Sequence, residues 1–270
     1  RRHLTVVSNE IINRVQKELQ MRKIMSLAAI TLLAAAAASA GNYTETFDQT
    51  YPVDHGAEVG LENINGDLTI EVWDRAEVRV YAVKSASSPE RLEALRIDVD
   101  VSSRGVFVDT HYPNSRDLSF EDRHGHSQVE YTLTVPRFAA IDGVELVNGD
   151  LLIDGVEGSV NADTVNGTIV VRGASGEIEL ETVNGGIELE LGPGVSDEIS
   201  LDSVNGTIEV FISGSAEIRA ETVNGRISND FGLEVKKGKY VGSSMKGSIG
   251  GGGPVVELET VNGSIRVSSR

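Results

Sequence analysis

The 270-residue sequence contains no cysteine. This absence excludes a disulfide framework, a thiolate metal site, a cysteine nucleophile and a lipid anchor attached to cysteine. Aromatic residues make up only 5% of the chain, so few platforms are present on which bases or sugars could stack. Basic side chains are also scarce, with 24 Lys and Arg against 41 Asp and Glu and a net charge of −17. This charge argues against nucleic acid and against an anionic membrane surface as partners.

The first 40 residues have the pattern of an export leader that precedes the fold. Met21 is followed by two basic residues, a 15-residue apolar stretch over 24–38 and an Ala-Ser-Ala cleavage site. The apolar stretch is short for a membrane span and typical of a signal peptide. We therefore predict a signal peptide over 21–40, with residues 1–20 translated upstream of the true start. The mature chain is then predicted to be a bacterial periplasmic or secreted protein without an integral membrane segment.

Without those 40 residues the chain is more acidic and richer in glycine. The remaining 230 residues hold 18 basic and 39 acidic side chains, a net charge of −21, because the removed part carries six basic and two acidic residues. All 29 glycines lie in this part, roughly 13% of it against an average near 7%. A chain of this kind must be held together by packing and backbone hydrogen bonds alone.

An Asn-Gly pair recurs seven times, with matching residues around each copy. The residue before Asn is Ile or Val, the residue three after it is Leu or Ile, and the residue three before it is acidic. From Asn148 to Asn224 the copies are 18, 18, 21 and 19 residues apart, and residues 244–249 resemble a degenerate copy in the 38-residue gap that follows. The repeated asparagines are Asn65, Asn148, Asn166, Asn184, Asn205, Asn224 and Asn262.

Two architectures fit the strands of alternating apolar and acidic residues on both sides of each Asn-Gly. Asn-Gly is a strong hairpin signal and would give a meander or barrel. A hairpin at Asn184 would, however, place Glu181 opposite Glu188, and like charges directly opposite each other are destabilising. We therefore predict an all-β fold, a single-stranded parallel β-solenoid (β-helix). Its coils are right-handed, each holds one repeat, and Val and Ile columns fill its interior.

The segment between Asn65 and Asn148, which are 83 positions apart, lacks the repeat, although it has room for about four coils. It contains strand-like runs and one short helix over 88–95, with Ser88 as its N-cap and Pro89 as its first residue. We predict an irregular N-terminal β section over 41–140, continuous with regular solenoid repeats over 141–270.

Stacking of the repeats in sequence order would align equivalent residues in columns about 4.8 Å apart. A structural amide ladder would then run through Asn148, Asn166, Asn184, Asn205, Asn224 and Asn262. A column of acids would either bind cations, with calcium as the candidate, or have raised pKa values. The acids of this predicted metal site are Asp163, Glu181, Asp202 and Glu221. The alternative is a solvated face whose side chains splay apart.

Three histidines give a second candidate metal site. His111, His124 and His126, with Asp122 nearby, are residue types that ligate metals. The alternative is an exposed polar loop, since the spacing is not specific for any metal. No other cofactor is predicted.

The segment from Ile64 to Asp74 and the run Val129–Pro136, followed by the Val-Asn-Gly repeats, resemble the bacterial putative-adhesin family, a β-helical domain of unknown function. The resemblance covers most of residues 45–270. It implies an envelope-associated β-solenoid, and it implies no known reaction and no catalytic residues.

These observations leave three classes of function. The first is a non-enzymatic exported structural or interaction module, adhesin-like, that presents a rigid acidic surface to a protein or glycan in the envelope. The second is a periplasmic component of envelope stress or regulation. The third is a β-helical enzyme acting on polysaccharide, although the chain offers few aromatics and few basic residues for such a substrate. An uncapped last coil, Val261–Val267, would also allow end-to-end self-association.

Overall fold

The computed structural model describes residues 43–102, 104–114, 118–120, 124–192, 195, 198–238 and 241–270. The predicted signal peptide over 21–40 and the upstream segment over 1–20 lie outside these residues. In the described part of the chain, no helix has the length and apolar character needed to cross a membrane.

Strands dominate the described residues, with one short helix after the fourth strand. The first elements are β1 (Tyr43–Pro52), β2 (Glu58–Asn65), β3 (Leu68–Trp73), β4 (Glu77–Ala86), α1 (Pro89–Ala94), β5 (Arg96–Val101), β6 (Gly105–His111) and β7 (Ser127–Pro136). The next are β8 (Ala140–Asn148), β9 (Leu151–Asp154), β10 (Val160–Asn166), β11 (Ile169–Ala174), β12 (Ile178–Asn184), β13 (Ile187–Leu191), β14 (Ile199–Asn205) and β15 (Ile208–Ile212). The last are β16 (Ala216–Thr222), β17 (Ile227–Asn229), β18 (Val235–Lys237), β19 (Ser243–Ile249), β20 (Val255–Thr260) and β21 (Ile265–Ser269).

The strands form two sheets, and each Asn-Gly repeat contributes one strand to each sheet. The first sheet has the order β1-β4-β7-β3-β9-β11-β13-β15-β21-β17, and the second has the order β18-β19-β16-β20-β14-β12-β10-β8-β2-β6-β5. The two strands that flank an Asn-Gly corner, such as β12 and β13, lie in different sheets, so the hairpin alternative is wrong. Successive repeats pair in parallel, which gives the all-β, solenoid-like fold predicted from the sequence. The right-handed sense of the coil stays a prediction.

Each corner requires glycine because the backbones of neighbouring coils meet there. A Cβ added to Gly185 would overlap the carbonyl oxygen of Gly167, and one added to Gly206 would overlap that of Gly185. Inside the coils, apolar residues from both sheets form one continuous core, which includes the fully buried Ile178, Leu180 and Ile187.

The order of the coils differs from their order in the sequence. The coil β20–β21 lies between β14–β15 and β16–β17, because β20 pairs with both β14 and β16 and β21 pairs with both β15 and β17. The last repeat is therefore inside the stack, and the predicted exposed edge at Val261–Val267 is wrong. The degenerate copy over 244–249 is also not a coil, since it lies in β19, which runs antiparallel to β16.

The region between Asn65 and Asn148 does not form four further coils. Instead, β2–β3 stacks directly on β8–β9, and the intervening strands extend the two sheets. In the first sheet β7 pairs with β3, and β4 and β1 follow in antiparallel pairings. In the second sheet β6 pairs with β2, and β5 follows antiparallel to β6. The division at residues 140 and 141 stays a prediction.

The predicted helix is present as α1. Its first residue is Pro89, and the hydroxyl oxygen of Ser88 accepts a hydrogen bond from the backbone N–H of Arg91 at 3.2 Å, as expected for an N-cap.

Candidate partner-binding groove

The outer face of the second sheet carries two parallel columns of equivalent side chains. Side chains alternate between the core and this face along each strand. The residues one and three before each Asn point outward, and the residue between them is buried, as the pattern of β12 shows for Glu181, Thr182 and Val183. The parity of the repeat thus places an apolar and an acidic side chain together on every coil.

The first column is acidic and runs across eight strands. Neighbouring pairs in the strand register include Glu145 with Asp163, Asp163 with Glu181, and Glu181 with Asp202. In spatial order the carboxylate column is Asp109, Glu62, Glu145, Asp163, Glu181, Asp202, Glu259 and Glu221. Asp163, Glu181 and Asp202 are therefore adjacent as predicted, whereas Glu259 separates Asp202 from Glu221 because the last coil is inserted there.

The second column is apolar and half exposed. It consists of the residues that precede each asparagine, and their exposed fractions lie between 39% and 49%. In spatial order the valine column is Ile64, Val147, Val165, Val183, Val204, Val261 and Val223. The expectation that all Val and Ile columns fill the interior is wrong for this one. The sequence did indicate this outward position. Each of these residues follows an acid by two positions, and residues two apart in a strand lie on the same face.

A row of buried hydroxyls lies between the two columns. The hydroxyl of Thr182 donates to the carbonyl of Gly167 at 3.2 Å, and that of Thr222 donates to Gly263 at 2.9 Å. The equivalent hydroxyls of Thr164, Ser203 and Thr260 make the same bond to the glycine of a neighbouring coil. These hydroxyls are engaged with the backbone and are only 3–5% exposed.

The columns and the hydroxyl row form a groove of about 870 Å³ across six coils, from Glu145 to Glu221. We call it the valine–carboxylate groove. At one end it is bounded by Gly238, Val241 and Gly242, between β18 and β19. Val241 is 61% exposed, so the end of the groove is also apolar.

Burial and neighbouring acids raise several carboxyl pKa values along the groove. Desolvation is the larger cause of the raised pKa of Asp163, followed by the charges of Glu181 and Glu145. Desolvation also raises the pKa of Asp202 and of Glu259, with further contributions from nearby Glu side chains and, for Glu259, from Asp202. At the N-terminal end, burial followed by the charges of Glu145 and Asp109 raises the pKa of Glu62. Ionisation of these carboxyl groups is therefore less favourable than ionisation of a free Asp or Glu side chain.

Several basic side chains pair with acids outside this column. Arg79 contacts Asp48 at 2.7 Å, Lys84 contacts Glu45 at 2.9 Å, and Arg219 contacts Glu257 at 2.5 Å. Among the described residues, no Lys or Arg lies within 4.0 Å of a carboxylate of the column. Within the described residues the column therefore lacks ion pairs with Lys or Arg, although Lys236 and Lys246 line a cavity together with Glu221 and Glu259.

The asparagines form an amide ladder along the edge of the groove. Six of the seven side-chain amides donate to Oδ1 of the neighbouring asparagine at 2.9–3.0 Å, and Asn65 at the end of the ladder accepts. In spatial order the ladder is Asn65, Asn148, Asn166, Asn184, Asn205, Asn262 and Asn224. It includes Asn65, which the sequence assigned to a separate section, and it holds the corners of all seven coils in register.

The candidate metal sites do not gather a set of ligands. His111 lies on β6, with Nε2 3.0 Å from Asp98 and Nδ1 3.4 Å from Asp109, whereas His124 and His126 precede β7 and Asp122 lies outside the described residues. Across the described part of the chain, no three His, Asp or Glu side chains converge on a point where a metal ion could be held. Calcium binding by the carboxylate column stays a prediction, which thermal melts with and without calcium at equal ionic strength would test.

The two-sheet stack of parallel coils, with Asn-Gly at each corner, defines a class of solenoid-like domain. Residues 50–268 match the family model described as Toastrack DUF4097, and the chain belongs to this family. The family is a domain of unknown function, in agreement with the resemblance drawn from the sequence. Among curated proteins, none matches this chain.

Several solved bacterial structures are similar to this chain. A putative cell adhesion protein from Clostridium sporogenes is 15% identical, with a TM-score of 0.50 over 83% of this chain and 100% of that one. A putative adhesin from Bacteroides fragilis is 13% identical, with a TM-score of 0.27 over 82% and 96% of the two chains. A putative adhesin from Parabacteroides merdae is 8% identical, with a TM-score of 0.35 over 83% and 96%. At 15% identity the likeness to the Clostridium sporogenes protein concerns the fold alone.

Proposed function

We propose that the mature chain is a non-enzymatic, exported interaction module that binds a basic, amphipathic segment of a partner protein along the valine–carboxylate groove. The observation that carries this proposal is the repetition of one valine and one acid, side by side, on six neighbouring coils. A rigid ladder of this kind presents the same two contacts at regular intervals. A partner segment would then be selected by how closely the spacing of its own apolar and basic side chains matches these intervals.

Charge complementarity favours a basic partner. The column carries a carboxylate on every coil, and Arg79, Lys84 and Arg219 are paired with acids outside it. Complementary charges across an interface steer encounter and suppress wrong partners. Desolvation, followed by the charges of neighbouring acids, raises the pKa of Asp163 and Glu259. A partner with Lys or Arg on one face would relieve the second of these two effects.

The spacing of the coils favours a helix over an extended strand. The pairs of valine and acid recur about every 4.8 Å along the stack. A helix has a pitch of about 5.4 Å, whereas alternate residues of an extended strand are about 6.6–6.8 Å apart. The mismatch is therefore about 0.6 Å per coil for a helix and about 2 Å for a strand. Six coils span about 24 Å, the length of a helix of about 16 residues.

The location and the alternatives follow from the sequence and the groove together. The export leader predicted over 21–40 would deliver the module to the periplasm or the exterior, where an envelope-stress or regulatory role would use the same groove. An enzyme acting on polysaccharide would need a distinct acid and base beside a substrate site. The groove instead repeats one carboxylate on every coil, and its hydroxyls donate to backbone carbonyls.

Binding of a designed peptide tests this proposal directly. The probe is a fluorescent 16-residue amphipathic helix with Lys and Leu on one face, and binding is measured by fluorescence anisotropy. The control peptide has the same composition with Lys and Leu distributed around the helix. We expect saturable binding of the first peptide, weakened by salt because the contacts include exposed charges, and no comparable binding of the second.

Matched protein variants locate the site. The double variants Val183→Ser/Val204→Ser and Glu181→Gln/Asp202→Asn should each weaken binding about tenfold, or about 1.4 kcal/mol. The control Glu188→Gln/Glu209→Gln makes the same change of charge on the first sheet. Equal affinity of the two peptides, or an equal effect of the control variant, would overturn the proposal.

A further inference from the structure

The coil β20–β21 occupies a position between two coils that precede it in the sequence. We call residues 255–269 the C-terminal coil and the space between β14–β15 and β16–β17 the slot. On one side Leu258 lies opposite Leu201, and on the other it lies opposite Ala220. The slot thus binds the C-terminal coil through backbone ladders on both sides.

The side chains of the C-terminal coil continue every column of the stack. Val256, Leu258, Ile265 and Val267 are fully buried in the core. The amide of Asn262 donates to Asn205 and Oδ1 of Asn262 accepts from Asn224, both at 2.9 Å. The segment therefore fits the slot as one repeat among equivalents.

The two walls of the slot also match each other. Counting from the corner asparagines, Ile199 corresponds to Ile218, Ser203 to Thr222 and Asn205 to Asn224. The walls have the residue types with which neighbouring coils pair elsewhere, as Thr182 pairs with Ser203. The slot can accordingly be filled by the C-terminal coil or closed by direct pairing of β14 with β16.

The connection that leads to the C-terminal coil is rich in glycine and can follow more than one path. Residues 250–254 read Gly-Gly-Gly-Gly-Pro, and Gly250, Gly251 and Gly252 have φ values of 61°, 97° and 94°. In the described chain this connection alone joins the coil to β19, and it passes from one side of β16 to the other, since β19 and β20 flank that strand. Glycine gives such a connection many accessible conformations.

We propose that the slot accepts the C-terminal coil of a second copy of this chain, so that two molecules exchange residues 255–269. The exchanged coil makes the same ladders and buries the same side chains as the coil bound within one molecule. The exchange therefore loses no contact of the slot and changes only the path of the glycine connection, as in domain swapping. The partner in this interaction is the chain itself. The exchange requires no ligand in the valine–carboxylate groove, although the exchanged coil supplies Glu259 and Val261 to that groove.

Introduced cysteine pairs can show whether the coil in the slot belongs to the same molecule or to a second copy. No other cysteine interferes, because the chain has none. Asp202 and Glu259 are neighbours in the register of β14 and β20, and adjacent strands bring Cα atoms within disulfide range. The full-length variant Asp202→Cys/Glu259→Cys is refolded from urea over a roughly hundredfold range of protein concentration and then oxidised. A coil from the same molecule gives a linked monomer on a denaturing gel, and a coil from a second copy gives a linked dimer. We expect the dimer fraction to rise severalfold with concentration.

Two further variants complete the test. Asp163→Cys/Glu181→Cys joins coils upstream of the connection and should give linked monomers at every concentration. Deletion of Gly251 and Gly252 in the Asp202→Cys/Glu259→Cys chain shortens the connection and should make the dimer predominant at all concentrations. Linked monomers alone from the Asp202→Cys/Glu259→Cys chain at every concentration would overturn the proposal. That result stands even where the shortened variant fails to fold.

Discussion

The side-chain amide of Asn262 donates a hydrogen bond to Oδ1 of Asn205 at 2.9 Å, across 57 residues of sequence. The corner that follows Asn205 in the sequence is Asn224, which instead bonds to Asn262 on its far side. The ladder is thus continuous in space and discontinuous in the chain. Its contribution to stability, and that of the other columns, can be measured one position at a time.

The interior of the amide ladder should be more sensitive to substitution than its end. Asn184 donates to Asn166 and accepts from Asn205, whereas Asn224 has one ladder bond among the described residues. Since a hydrogen bond contributes about 0.5–1.5 kcal/mol, Asn184→Ala should lower the free energy of unfolding by about 1–3 kcal/mol and Asn224→Ala by about half of that. Urea unfolding measures both, and equal losses would contradict a continuous ladder.

The corner glycines should tolerate no side chain. A Cβ at Gly185 would overlap the backbone of Gly167, so Gly185→Ala must push two coils apart. We expect a loss of about 3 kcal/mol or more, in the range of severe packing defects. Gly214→Ala is the matched control, because nothing lies within 4 Å of a Cβ at that position. A thermal-unfolding midpoint for Gly185→Ala near that of Gly214→Ala would show that the corner backbones are not in close contact.

Mild acid should stabilise the protein. The pKa values of Glu62, Asp163, Asp202 and Glu259 are raised in the folded chain, so folding takes up protons as the pH falls through these values. Stability is then predicted to rise from pH 7 toward the ordinary carboxyl values, 3.8 for Asp and 4.5 for Glu. Below that range the trend reverses, because Arg79 lowers the pKa of Asp48 and protonation removes this pairing.

Urea midpoints at a series of pH values provide the measurement. The variant Asp163→Asn/Asp202→Asn removes two of the groups with raised pKa and should flatten the rise between pH 7 and the ordinary Asp value of 3.8. A rise that is unchanged in this variant would assign the effect to groups outside the column.

The N-terminal end of the amide ladder lies beside one partly buried hydroxyl. Tyr112 Oη lies 2.8 Å from Oδ1 of Asn63 and accepts from the backbone N–H of Asn65 at 3.0 Å. Burial raises the pKa of Tyr112 to about 12, so this hydroxyl stays protonated at neutral pH. Tyr112→Phe leaves these groups without their partner and should cost about 1–3 kcal/mol. Tyr43→Phe, on an exposed tyrosine of β1, is the control for denaturant unfolding, and equal midpoints for the two variants would dismiss the role of the hydroxyl.

The coil itself could be predicted from the sequence, because its chemistry is local. Asn-Gly at each corner, the parity shift across it and the acid three residues earlier define one turn of the stack without knowledge of its neighbours. The helix at Pro89 could be predicted for the same reason, since its capping residue Ser88 is adjacent in sequence.

The stacking order could not be predicted, because the repeats are chemically equivalent. Asp202 fits beside Glu221 as well as beside Glu259, and only the path of the chain through Gly250–Pro254 separates the two arrangements. The antiparallel extensions were missed for a related reason. The alternation in β4 or β6 shows which face is buried and does not specify which strand is its neighbour.

The exposed valine column was not predicted from the sequence, because valine is usually a core residue. A Val before each Asn reads as a core residue, whereas the corner turns that side chain outward to 41% exposure at Val183. The acidic column could be predicted, because charged side chains at a regular spacing indicate an exposed face. Only one of the two columns was therefore expected at the surface.

Because the C-terminal coil lies between two coils that precede it in the sequence, the order of synthesis differs from the order of stacking. At about 5–20 residues per second, about 2–8 s pass between the appearance of Asn229, the end of β17, and that of Ser269. During that interval β14 and β16 exist without the strand that will separate them. A solenoid assembled in sequence order can grow by adding each new coil to its end, but this chain has to admit its last coil between two that were made first. Its slowest folding step is therefore expected to be an opening of structure already formed.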